Sequence, residues 1–231
     1  MSKVFLKRIN KEIQNFYEKK YLENNNNFSD YLISFLDNLK VEVVLCNYDE
    51  GDKYFLIITN LQTKSLFLEL EIPDHYPFKP YSVVNYNSIY VFNSKYVFNY
   101  KYLTNKYFNY NGNNKISYSK YMNNIYEKIK DKDKTIYAFF FKNLYGFEPK
   151  FLNLKKNDCY CCSSIICSNL WSPSITFNNL IFEQLELQFI EKYSSELGYK
   201  YLVNIYNNYY NILHNQLYKK LPDEIISKIL N

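Results

Sequence analysis

Leu66–Pro80 reads LFLELEIPDHYPFKP, and this run decides the fold. Its first half alternates: Leu66, Leu68, Leu70 and Ile72 share one side, Phe67, Glu69 and Glu71 the other. Alternation with period two places one set of side chains on a buried face and the other on a wet one. Its second half sets Pro73, Pro77 and Pro80 around Tyr76 and Phe78, so the strand runs into a proline-locked turn.

Two runs before it read as further strands, Val41–Cys46 and Tyr54–Thr59, divided by the turn-like NYDEGDK and NLQTKS. Tyr81–Phe92 continues in extended form, which makes an antiparallel meander of three or four strands. Upstream, Val4, Ile9, Ile13 and Phe16 recur at helical spacing, with Lys7, Arg8, Lys11 and Glu12 on the opposite face. Asn24–Asn27 is a polar loop, and Asp30–Leu39 is a second short helix.

Downstream, Ser94–Lys150 is rich in Tyr, Asn and Lys. Within it Asn109–Lys115 reads as a turn, Ser117–Lys130 as a helix and Ile136–Phe141 as a strand. Cys161–Ile166 reads as an extended segment. Pro173 and Thr176 then open a helix over Phe177–Tyr193. Gly198 punctuates, a striped helix follows over Tyr199–Lys220, and Pro222 opens a short last one. This order predicts an α+β fold: N-terminal helix, antiparallel four-stranded meander, C-terminal helices. One domain is expected over 1–220, with 94–157 inserted as a subdomain and a short helix over 221–231.

The 231 residues are 47% hydrophobic, enough for a sizeable core. The 27 Tyr, 18 Phe and only 4 Gly match the usage that a very AT-rich genome imposes. The net charge of +5 is spread along the chain, and its densest basic runs, Lys7–Glu12 and Lys128–Lys134, also hold acids. That pattern points away from nucleic acid. MSKVFLKRINKE has no apolar leader core, and no stretch approaches the roughly 18 apolar residues of a membrane span. Four of the five cysteines crowd into Cys159–Cys167 rather than spreading as a disulfide framework. A cytoplasmic, reduced protein is expected, with no membrane partner. A zinc site on Cys159, Cys161, Cys162 and Cys167 is the weaker reading of that crowd, on its spacing and because His75 and His214 both lie away from it, so neither metal nor cofactor is expected.

Four stretches resemble ubiquitin-conjugating enzymes. Leu6–Glu12, LKRINKE, is similar to that family's first helix. Tyr76–Pro80, YPFKP, resembles its YPFxPP loop, with Tyr81 in place of the second proline. Ile89–Asn93, IYVFN, stands where the family has IYHPN, so Asn93 matches its asparagine while Val91 and Phe92 replace His and Pro. Trp171–Thr176, WSPSIT, resembles the WSPAxT that follows the active-site cysteine.

The resemblance implies that one cysteine carries ubiquitin, or a ubiquitin-like modifier, as a thioester for transfer to a substrate lysine. Cys162 and Cys161 both fit the nucleophile's place: with Cys162 there, the aliphatic positions fall on Ile165 and Ile166. Thiolate at neutral pH is what makes such a cysteine reactive. Asn93 is implied as the oxyanion donor. Asn153, eight residues before Cys161, is its rival. An activating enzyme and a ubiquitin ligase are the implied partners, the ligase docking on Lys7, Arg8, Phe78, Pro173 and Ser174. The lost His and Pro and the long insertion leave a second expectation open, an inactive variant of the same fold that binds ubiquitin or a ligase.

Overall fold

The computed structural model describes residues 4–20, 27–48, 51–86, 118–155, 158–167 and 170–218. Strands β1 (Leu39–Tyr48), β2 (Gly51–Asn60), β3 (Ser65–Ile72) and β4 (Ser82–Tyr86) form one sheet in that order, antiparallel throughout. Val43, Leu56, Leu70 and Val83 align across all four strands.

The alternation of β3 holds from Leu68 to Ile72 and fails at Leu66. Pairing steps from Ile58–Leu68 to Thr59–Leu66, which leaves Phe67 as the extra residue of a bulge. The bulge turns Phe67 into the main core, where its ring meets Phe35 at 5.4 Å. Leu66 passes to the opposite face and joins Phe55 and Ile57, with Val44 and Cys46 packed against them. Glu69 is buried there beside Ile57. The face expected to be wet therefore carries a small apolar cluster of its own.

Helix α1 (Val4–Tyr17) buries Ile9 and Phe16, and the backbone N–H of Val41 donates to Tyr17 Oη at 2.9 Å, joining the helix to β1. Helix α2 (Asp30–Asp37) is capped by Ser29, whose Oγ accepts from Leu32 N at 3.1 Å. Helices α3 (Tyr118–Glu127) and α4 (Lys134–Tyr145) follow. The strand expected at Ile136–Phe141 is thus the middle of α4. Its IYAFFF composition favours strands, but Asp133 caps one end and Gly146 closes the other in the left-handed region at φ 83°. A Cβ on Gly146 would stand 2.0 Å from Asn27 O, so only glycine fits.

After a 3₁₀ turn (Lys150–Asn153) come α5 (Tyr160–Ser163), α6 (Phe177–Tyr193) and α7 (Glu196–Tyr218). The extended segment expected at the cysteines is therefore a short helical turn. Gly198 lies inside α7 rather than breaking it, with its N–H bonded to Ser195 Oγ. A Cβ there would come within 3.0 Å of Tyr193, so glycine permits the tight α6–α7 junction. The expected helix over 221–231 and Asn93 lie outside the described residues.

Helix α6 is buried nearly all round, by Leu180, Ile181, Leu185, Leu187 and Ile190 among others. A helix that is wrapped on all sides sits at the centre of a fold. Phe16 of α1 meets Phe177 on one side at 5.7 Å, and Phe141 of α4 meets Phe189 on another at 5.4 Å. Met122, Tyr126, Tyr137, Phe141 and Phe151 belong to the same buried cluster as the sheet's Leu56, Ile58 and Leu68. Residues 118–155 thus share one core with the sheet. No helix among the described residues is long and apolar enough to cross a membrane.

Candidate functional site

Two places gather the residues singled out in the sequence. The first is built from α1, the Tyr76–Pro80 turn and the Trp171–Ser174 turn. Tyr76, Tyr81 and Trp171 stack into one aromatic group, with ring centroids 4.7 to 6.1 Å apart. Trp171 Nε1 donates to Pro77 O at 2.8 Å, which locks the two turns together; the Tyr76–Pro77 peptide is cis.

Glu12 organises the other side. It is 3% exposed and accepts from Tyr76 Oη at 2.5 Å, Arg8 Nε at 2.6 Å and Tyr81 Oη at 3.4 Å. Helical spacing had placed Glu12 on the solvated face beside Arg8; its two tyrosine partners lie more than 60 residues away in sequence, so spacing carried no sign of them. Arg8 Nη2 also donates to Pro173 O at 3.1 Å, so Arg8 is part of the scaffold. Burial, then the Glu12 charge, push the Tyr76 phenol well above its ordinary range, so it remains a donor.

Around this scaffold Pro173, Ser174 and Lys7 are exposed, and Phe78 is 79% exposed. All five residues expected to meet a partner therefore belong to these three connected elements. Along the outer side of α1, Lys7, Asn10, Lys11, Gln14, Asn15 and Lys20 line an open, basic groove.

The second place is the cysteine cluster. Tyr160 anchors α5 by burying its ring, and its hydroxyl donates to the carboxylate of Glu186 on α6. From α3, Asn123 Oδ1 accepts from Cys161 N at 3.0 Å and from Cys159 Sγ at 3.1 Å. The Cys159 and Cys161 sulfurs lie 2.6 Å apart, and those of Cys161 and Cys162 lie 4.0 Å apart. Cys162 is exposed, while Cys159, Cys161 and Cys167 are half-buried.

The thiols differ in acidity. The hydrogen bond from Cys161 lowers Cys159 to about 7, whereas the neighbouring Cys159 and Cys161 push Cys162 up to about 11. At neutral pH the first thiolate therefore forms on Cys159. Helix α3, from the region expected to be an insertion, packs beside Cys159 and Cys161 and leaves Cys162 open to solvent.

Beneath α5 lies a buried polar layer. Glu186 accepts from the backbone N–H of Lys150 as well as from Tyr160, and burial raises its carboxyl to about 7. Burial also raises Glu183, against the pull of the Lys150 charge. Lys150 Nζ, buried near Glu183, lacks a hydrogen-bond partner among the described residues.

Cys161 and Cys162 thus stand together as the sequence placed them, joined by two residues it did not single out for chemistry. Cys159 was discounted for want of a C-x2-C pair, yet Cys159 and Cys162 have that spacing, and this was the signal that could have found it. Asn123, 38 residues before Cys161, carried no signal. Asn153 ends the 3₁₀ turn and is exposed; the carboxamide seen beside the thiols belongs to Asn123. No protein-family model, curated protein or solved structure matches the chain.

Proposed function

We propose that the chain is a ubiquitin-conjugating-enzyme-like protein. It docks a ubiquitin ligase on the face around Phe78 and Pro173, and carries ubiquitin or a ubiquitin-like modifier as a thioester on Cys162 or Cys161. The observation that carries this reading is the convergence of α1, the YPFKP turn and the WSP turn around an exposed phenylalanine. An aromatic ring held in water on a braced turn gains apolar contact only when a partner covers it. The same three elements form the docking face of the family that the motifs resemble.

In the carrier step a cysteine sulfur bonds to the modifier's terminal carbonyl carbon, displacing the activating enzyme's thiolate. A substrate lysine amine later displaces the cysteine sulfur. Cys162 has the access for this exchange, and Cys161 stands beside it.

A second reading, an inactive domain that binds ubiquitin or a ligase without a thioester, is favoured by the acidity order. The exposed Cys162 is held protonated at neutral pH. Charging decides between the two. The protein is incubated with activating enzyme, ATP and ubiquitin beside Cys162→Ala, Cys161→Ala and Phe78→Ala. A reducible adduct lost in one cysteine variant but kept in Phe78→Ala, whose ligase-dependent discharge is slowed, is the expected result. No adduct across a panel of modifiers, with folded protein and a working control enzyme, selects the binding reading.

A further inference from the structure

We propose that Cys159, Cys161 and Cys162 form a three-thiolate site for a thiophilic d¹⁰ cation of the Zn(II) class. All three sulfurs lie within 4.8 Å of one another. Zinc–sulfur bonds of about 2.3 Å in tetrahedral geometry set sulfurs about 3.8 Å apart. The Cys161–Cys162 separation of 4.0 Å is already at that spacing. Cys159 and Cys161, at 2.6 Å, need to part by about 1 Å, which is within reach of a side-chain rotation.

The donor set chooses the ion. Three sulfurs and no carboxylate suit a soft or borderline metal and exclude calcium or magnesium, which need oxygen ligands. Cys159 and Cys162 have the C-x2-C spacing common in zinc sites, with Cys161 between them. Cys167 stands outside the cluster.

The frame is fixed before any ion arrives. Tyr160 is buried and bonded to Glu186, and Asn123 holds the Cys161 backbone. A braced donor set keeps its geometry at lower cost than one on a free loop. Because Cys162 faces solvent, the fourth coordination position opens outward, to water or to a partner's side chain. On binding, each thiol loses its proton to solvent as its sulfur–metal bond forms.

This site stands independently of the thioester reading, but the two compete for the same sulfurs: a bound ion blocks acylation. The test uses the reduced, metal-stripped full chain under anaerobic conditions, titrated with Co(II) and then Zn(II). One Co(II) per chain is expected, with an intense near-ultraviolet thiolate-to-cobalt band that Zn(II) bleaches. Cys159→Ser, Cys161→Ser and Cys162→Ser should each weaken binding by at least the roughly 100-fold that loss of a mere supporting partner can cost, while Cys167→Ser and Cys46→Ser bind as wild type. Failure to bind at micromolar metal, or binding that the three variants leave unchanged, overturns the proposal. Cys162 is at the surface, so Cys162→Ser decides the matter even if Cys159→Ser does not fold. The readout is absorbance, so a failed charging assay leaves this result intact, and the reverse also holds.

Discussion

Glu12 shows how one side chain sets the shape of a surface. Its carboxylate is nearly out of water and collects Arg8 and two tyrosine hydroxyls. Truncation leaves the Tyr76 and Tyr81 hydroxyls buried without their acceptor and frees the Arg8 charge. A buried polar group left unpaired costs about 1–3 kcal/mol, so Glu12→Ala should lower stability by about 2–4 kcal/mol in denaturant unfolding. Glu12→Gln, which keeps an acceptor, should lose less. Equal losses would mean that packing, not the carboxylate's bonds, holds the turn. At this scale the sequence was legible where the grouping of residues is local. The cysteines declared themselves by crowding, and Phe78 and Pro173 by their motifs. Glu12 and Asn123 did not, because the tyrosines that bury Glu12 and the cysteines that meet Asn123 lie far off along the chain, and a Glu or Asn on a helix usually faces water.

Among the elements, those with period and punctuation in agreement were readable. The meander was, since alternating runs are bounded by turn residues. Helix α6 was, since Thr176 marks its start: the Thr176 N–H donates to Asn179 Oδ1 at 3.0 Å. Helix α4 was not, because local composition and caps disagreed and the caps prevailed. The bulge at Phe67 was not, because an extra residue leaves an alternating pattern looking unbroken. Gly146 offers the test of the α4 ending. Ser29 N donates to Tyr145 O at 3.2 Å, so the chain before α2 passes directly over this cap. Gly146→Ala adds a Cβ against the Asn27 backbone at a positive φ, and should cost about 2 kcal/mol or more in the same unfolding assay. An unchanged midpoint would show that Asn27 does not approach so closely in solution.

For the molecule as a whole, the buried layer under the cysteines ties stability to pH. Glu186, raised to about 7 mainly by burial, favours its protonated form in the folded state. That contribution is full below the ordinary carboxyl pKa of 4.5 and is lost as pH rises toward 7. A shift of this size is worth about 3 kcal/mol, so the stability gap between the wild type and Glu186→Gln should narrow or reverse by about that amount between pH 5 and pH 8. A gap that does not move with pH would show that Glu186 is ionised throughout. The overall α+β order was legible because sheet and helices announce themselves segment by segment. What no segment announced is that residues 118–155 fill the same interior as the sheet. Met122, Tyr126, Tyr137, Phe141 and Phe151 are walls of the room that α6 occupies. Excising the stretch to make a minimal domain would therefore unroof the central helix.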